Sequence, residues 1–122
     1  MNYNSQKAKL MIWTKITTLN QLNDIDTESQ SEKIMIFKHS TTCSISRMAL
    51  NRLESKWKPE YSETLKPYFL DLLAYRNISN EIARRYDVVH ESPQVLVVSK
   101  GKSIYNESHG GITVDEILSV NI

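Results

Sequence analysis

The 122-residue chain contains one cysteine, Cys43. A single thiol cannot close an internal disulfide, so a disulfide scaffold is excluded and a reducing compartment is the natural setting. Long apolar runs are missing too. Those present, such as Val95-Leu96-Val97-Val98, are far too short to cross a bilayer. None follows the polar start Met1–Lys9 as a signal-peptide core would. A cytoplasmic protein with no membrane partner is expected. Charge of one sign is also lacking: Lys plus Arg number 15 and Asp plus Glu 14, for a formal net charge of +1. No overall field points toward nucleic acid or an anionic surface.

What is present is ordinary for a globular chain: 40% hydrophobic and 24% charged residues. The length suits one compact domain over residues 1–122, and no repeat, low-complexity tract or linker interrupts it. Leu10–Ile16 reads as a short strand, and Thr18-Leu19 opens a helix with Leu19, Leu22 and Ile25 about one turn apart. Asp26–Glu32 reads as a charged, solvated loop. Lys33–Lys38 is a strand whose continuous run Ile34-Met35-Ile36-Phe37 suits burial on both faces, as in a parallel sheet. Cys43–Lys58 reads as a helix. Ile45, Ala49, Leu53 and Trp57 recur every four residues, with Met48 beside them, while Arg47 and Arg52 fall on the other face. Pro59 ends it.

Pro67–Leu73 is the next strand, followed by a short helix Ser79–Tyr86 capped by Asn77 or Ser79. Val95–Val98 and Ser103–Tyr105 flank Lys100-Gly101, a two-residue hairpin with glycine where φ must be positive. Gly110-Gly111 marks a turn, and Thr113-Val114-Asp115-Glu116 has capping-box spacing. The order β-α-β-α-β-α-β-β-α defines an α/β protein with a mixed sheet, and it is the order of the thioredoxin fold.

Cys43 sits where the strand pattern breaks and the helical pattern begins. A free cysteine is often a small buried hydrophobe. At a helix start, however, the first N–H groups lack intrahelical partners and the dipole places positive charge, and both favour the thiolate. Lys38 and His39 lie just upstream, and Ser40, Thr41, Thr42, Ser44 and Ser46 keep the surroundings polar. The position therefore points to a reactive thiol. Ser92-Pro93 precedes an apolar strand, where a proline is compatible with either a trans start or a cis turn. Three histidines and one cysteine without short spacing give no zinc signature.

The segment "FKHSTTCSIS" resembles the active-site segment of the YtxJ-type monothiol bacilliredoxins, thioredoxin-fold proteins of the bacillithiol redox system. "SNEIARRYDVVHESPQVLVV" and "SHGGITVDEI" are similar to the same family in the same order, so the likeness spans nearly the whole chain. Many relatives carry proline after the cysteine; Ser44 stands here. The resemblance implies a thioredoxin-like fold, a central mixed β-sheet flanked by helices. It implies Cys43 as nucleophile and a cis bond at Ser92-Pro93 whose backbone faces it. It also implies a small-thiol site drawing on Lys38, His39, Thr42, Ser44 and Arg47 together with Ser92 and Pro93. The implied partners are bacillithiol and S-bacillithiolated proteins, with no metal and no nucleic acid.

Ser46 occupies the place of a dithiol's second cysteine, and a hydroxyl cannot resolve a mixed disulfide. Cys43 can still take over a small-thiol cap and be released by another thiol. His90 and His109 read as structural or solvated, and Asp71 is given no role. Two alternatives stand beside this reading. One is an iron–sulfur carrier like the monothiol glutaredoxins, which have glycine where Ser44 stands. The other is a non-catalytic binding module on the same fold.

Overall fold

The computed structural model describes residues 11–120. Five strands form one sheet in the order β1-β3-β2-β4-β5. They are β1 (Thr14–Lys15), β2 (Lys33–His39), β3 (Leu65–Asp71), β4 (Gln94–Ser99) and β5 (Lys102–Ser108). β2 runs parallel to β3, and β3 parallel to β1. β4 is antiparallel to both β2 and β5. Among the described residues four α-helices accompany the sheet: α1 (Asn20–Glu28), α2 (Ser44–Lys56), α3 (Arg76–Tyr86) and α4 (Val114–Ser119). Among the described residues, no helix is long and apolar enough to cross a membrane.

β2 is central, and its alternating side chains divide the core. Ile34 and Ile36 pack with Leu22 and Ile25 of α1 and with Ile78 and Ile82 of α3. Met35 and Phe37 pack with Ala49 and Leu53 of α2 and with Val114 and Ile117 of α4. The strand is thus buried on both faces, as its unbroken apolar run predicts. The hairpin forms at Lys100-Gly101, with φ of 53° and 76°. Positive φ at both central residues is what a right-twisted two-residue turn requires. Thr113 caps α4, its side chain accepting the Glu116 N–H at 3.2 Å.

Several boundaries differ from the sequence reading. The first strand is two residues long, and Leu10 lies outside the described residues. α1 continues through Asp26 to Glu28 instead of yielding to a loop. Its acidic residues have partners: Asp26 accepts the Tyr86 hydroxyl at 2.6 Å and pairs with Arg85 at 3.0 Å, while Glu28 pairs with Lys66 at 3.0 Å. β3 begins and ends two residues earlier, and α3 begins three residues earlier with no side-chain cap.

The apolar face of α2 also shifts. Ala49, Leu53 and Trp57 are buried, but Ile45 and Met48 are 51% and 60% exposed, and Ser46 is fully buried. Four residues overshoot a full helical turn by roughly 40°, so an every-fourth series drifts off its face. Ile45 falls off the buried stripe at one end, and Ser46 falls on it. This geometry predicts opposite outcomes for apolar truncations in the one helix. Leu53→Ala should destabilise by about 2–5 kcal/mol. Ile45→Ala and Met48→Ala should each stay within about 0.5 kcal/mol. Urea unfolding of the three variants checks this.

Candidate active site

β2 ends at His39, and a three-residue turn carries the chain to Cys43 at the N-cap of α2. The turn is closed by the Cys43 N–H donating to the Ser40 carbonyl at 3.2 Å. Cys43 is extended (φ −104°, ψ 122°), and its carbonyl accepts the Arg47 N–H at 3.1 Å, starting the helix. No side chain caps α2. Its first N–H groups therefore face the thiol end of the helix without intrahelical acceptors, and their partial positive charge favours an anion there. Cys43 is a free, half-buried thiol. Thr41, Thr42, Ser44 and Arg47 around it are exposed. The Arg47 guanidinium reaches back to the Thr41 carbonyl at 3.5 Å.

Beneath the turn lies a buried polar knot. The Ser46 Oγ accepts the Ser40 N–H at 3.0 Å and lies 2.7 Å from His39 Nδ1. His39 is 5% exposed. Its ring packs on Phe37 and Phe69, at centroid distances of 5.9 and 5.4 Å. Trp13 backs both of these rings and donates from Nε1 to Glu54 at 2.8 Å. Burial pushes the His39 imidazole below its usual range; Asp71 and Glu54 oppose this and Arg47 adds to it. His39 is therefore an interior residue bonded to the helix.

Lys38 is placed differently from the sequence expectation. Being one residue from His39, it points to the opposite face of the sheet, toward α3. It is fully buried, donates from Nζ to the Ser79 carbonyl at 3.2 Å, and lies 3.3 Å from His90 Nδ1. It is not free to meet the carboxylates of a small thiol. Burial lowers its pKa from 10.5 to about 8. His90 is likewise lowered, first by burial, then by Lys38 and Arg76, against Glu91. Arg52 is not simply solvated: it donates to the Ile112 carbonyl at 3.1 Å and ties α2 to the turn before α4.

The Ser92–Pro93 peptide bond is cis. The pairing of Lys38 with Gln94 puts this dipeptide at the end of β2 from which the Cys43 turn departs. Pro93 is buried, and its carbonyl accepts the His109 N–H at 3.1 Å. His109 also pairs with Glu91 at 3.5 Å, so both lie beside this segment. Ser92 Oγ and Gln94 Oε1 are buried without a hydrogen-bond partner among the described residues. Asp71 accepts the N–H groups of Leu73 and Ala74 at 3.2 and 3.4 Å, a local turn lock after β3.

The structure thus gathers Cys43, Thr42, Ser44 and Arg47 at one helix end, with Ser92-Pro93 at the same end of the sheet. It sets His39 below them and removes Lys38. The Ser46–His39 bond was not anticipated. Its signal was the spacing Ser46-Ala49-Leu53, a buried stripe with a hydroxyl at its head.

This arrangement is that of a thioredoxin-fold protein. Similar solved structures include a protein with a thioredoxin fold at 24% identity and TM-score 0.77, covering 100% of this chain and 99% of that one. Malassezia sympodialis thioredoxin follows at 12% identity and TM-score 0.73, covering 93% and 90%. Mitochondrial thioredoxin 3 of Saccharomyces cerevisiae matches at 18% identity and TM-score 0.69, covering 90% and 95%. Residues 14–117 match the family of the monothiol bacilliredoxin BrxC, and the chain belongs to that family. Membership, together with the lone thiol at the helix start, supports the class of thiol–disulfide oxidoreductases.

The buried Lys38 carries a pH signature. Its folded pKa lies below its unfolded value, so the unfolded chain binds more protons between about pH 8 and 10.5. Its favourable contribution is complete above the unfolded value and is lost as pH falls through about 8. Relative to Lys38→Met, which removes the titration, the native protein should gain on the order of 2–3 kcal/mol between neutral pH and pH ~10. Urea midpoints of the two proteins at both pH values measure this. Parallel pH dependences would contradict it.

Proposed function

We propose that the protein removes bacillithiol from S-bacillithiolated proteins. The Cys43 thiolate attacks the bacillithiol sulfur of the protein–bacillithiol disulfide. The Cys43–sulfur bond forms, the old disulfide breaks, and the protein thiolate leaves and takes up a proton. Cys43 is then capped by bacillithiol until a second thiol attacks that bond and frees it. The observation that carries this reading is a single accessible thiol at the N-cap of α2 with a serine, Ser46, at the place of a resolving cysteine. With no internal resolving thiol, the capped state is the natural resting point of the exchange.

Within this proposal the unpaired N–H groups of the first turn of α2 receive the developing thiolate. Arg47, with Thr42 and Ser44, receives the polar part of bacillithiol, whose carboxylates match a guanidinium. The half-buried Ser92, beside the cis Ser92-Pro93 bond, takes the extended segment of the capped protein. Bacillithiol acts as the redox thiol and no metal is required. The protein acts as a single thioredoxin-like domain in the cytoplasm, where thiols are kept reduced.

Incubation with bacillithiol disulfide should add one bacillithiol to the intact mass, reversibly by reductant, and none to Cys43→Ala. Arg47→Ala should raise the bacillithiol disulfide concentration for half-maximal rate by roughly tenfold, the scale of one charge-assisted hydrogen bond. It should leave the rate with an uncharged small disulfide nearly unchanged. An unmodified Cys43 under these conditions would reject the proposal. A brown colour on anaerobic purification would favour the iron–sulfur alternative instead.

A further inference from the structure

The parallel part of the sheet ends in a cavity. β1, β3 and β2 run in the same direction, and the chain leaves β2 for α2 and β3 for α3. α2 packs on one face of the sheet and α3 on the other. The loops after these two neighbouring strands therefore part to opposite faces. That makes a topological switch point, the place where open α/β sheets bind ligands. A cavity of about 370 Å³ opens there, within the range of small-molecule sites. Its walls come from all three strand ends. Lys15 closes β1, Phe69 and Asp71 close β3, and Tyr75 stands just before α3. Thr41 comes from the turn that carries Cys43. The cavity therefore shares a wall with the thiol turn.

The wall chemistry selects among ligands. The Lys15 ammonium only donates, and the Asp71 carboxylate only accepts. One Asp71 oxygen holds the Leu73 and Ala74 N–H groups, and the other has no hydrogen-bond partner among the described residues. The Thr41 and Tyr75 hydroxyls can do both. Phe69 and Tyr75 add aromatic surface. A bare anion would be repelled by Asp71. A metal ion would find one carboxylate, and no metal-binding cluster occurs among the described residues. A pyranose ring matches the walls: its hydroxyls donate and accept, and its C–H faces are apolar. Bacillithiol carries such a ring, an amino sugar between its cysteine and its malate. We infer that this cavity is the sugar subsite of the exchange, with Asp71, Thr41 and Tyr75 taking the ring hydroxyls. The inference rests on bacillithiol being the thiol transferred. β3 and β4 flank β2 on opposite sides. The cavity lies on the β3 side of the Cys43 turn, and Ser92-Pro93 on the β4 side. The two halves of the attacked disulfide, small thiol and protein, thus lie on opposite sides of Cys43. Arg47 keeps the malate carboxylates at the cavity edge, where its guanidinium reaches the Thr41 carbonyl.

The test is the rate of Cys43 capping, read by intact mass, with three disulfides. The first is bacillithiol disulfide. The second is the disulfide of cysteinyl-glucosamine, which lacks malate. The third is cystine diamide, which lacks both sugar and malate. Two variants alter the cavity and keep the fold. Asp71→Asn retains an oxygen for the Leu73 and Ala74 N–H groups and loses the charged acceptor. Ala74→Trp fills the cavity from an exposed position. Asp71→Asn should raise the concentration for half-maximal rate by roughly tenfold with both sugar-bearing disulfides, the scale of one charge-assisted hydrogen bond. Ala74→Trp should raise it at least as much. Neither should change the rate with cystine diamide, and Arg47→Ala should act on bacillithiol disulfide alone. Native values in both cavity variants would overturn the inference, as would a loss that extends equally to cystine diamide. A native Cys43 that bacillithiol disulfide fails to cap would reject the proposed function, and this subsite with it, so the two failures read differently.

Discussion

The hydroxyl of Ser46 joins three parts of the chain that must meet for Cys43 to stand where it does. It holds the end of β2 through His39, the first residue of the turn through the Ser40 N–H, and the first turn of α2 through its own backbone. A turn of three residues has little freedom once both ends are fixed, so the place of Cys43 follows from this one buried side chain. The aromatic packing of Trp13, Phe37 and Phe69 then holds the imidazole on which the hydroxyl rests. The thiol is half-buried, and the polar side chains below it, His39 and Ser46, are closed off from solvent.

Lys38 and His39 show how one residue of register decides what a polar side chain does. Both are buried at the end of the same strand. His39 points to the α2 face and supports the helix that carries Cys43. Lys38 points to the α3 face, where Ser79 and His90 satisfy it. Beside it, Gln94 donates from Nε2 to the Val89 carbonyl at 2.9 Å. The Lys38–His90 and Gln94–Val89 contacts tie the segment before Pro93 to the sheet. The two faces thus anchor the two sides of the site: the thiol turn from one, the cis-proline segment from the other.

The elements that could be read from the sequence were those with a local physical cause. The unbroken Ile34–Phe37 run identified the central strand, Gly101 the hairpin, and Thr113 with Glu116 the last helix start. The break between Phe37 and the periodic residues after Cys43 located the lone thiol at a helix end. The thioredoxin fold and the family were legible through the "FKHSTTCSIS" and "HESPQ" segments. The orientation of Lys38 was not legible, because a strand apolar on both faces does not say which face a terminal lysine will take. Its partners Ser79 and His90 are 41 and 52 residues away. The role of Ser46 was hidden by its type: a serine among apolar positions reads as solvated until the helix phase is set by Ala49 and Leu53. The charged end of α1 was read as loop because the side chains that satisfy it, Lys66 and Tyr68 of β3 and Arg85 and Tyr86 of α3, lie far along the chain.

The central claim is that Cys43 receives bacillithiol directly from a modified protein. The most direct measurement is a single turnover between the reduced protein and an equimolar S-bacillithiolated protein, quenched by acid and read by intact mass of both chains. The proposal requires loss of bacillithiol from the substrate to match, one for one, its gain on Cys43, with no protein–protein disulfide accumulating. A substrate that keeps its cap while Cys43 stays free, or a stable disulfide between the two proteins, would contradict it.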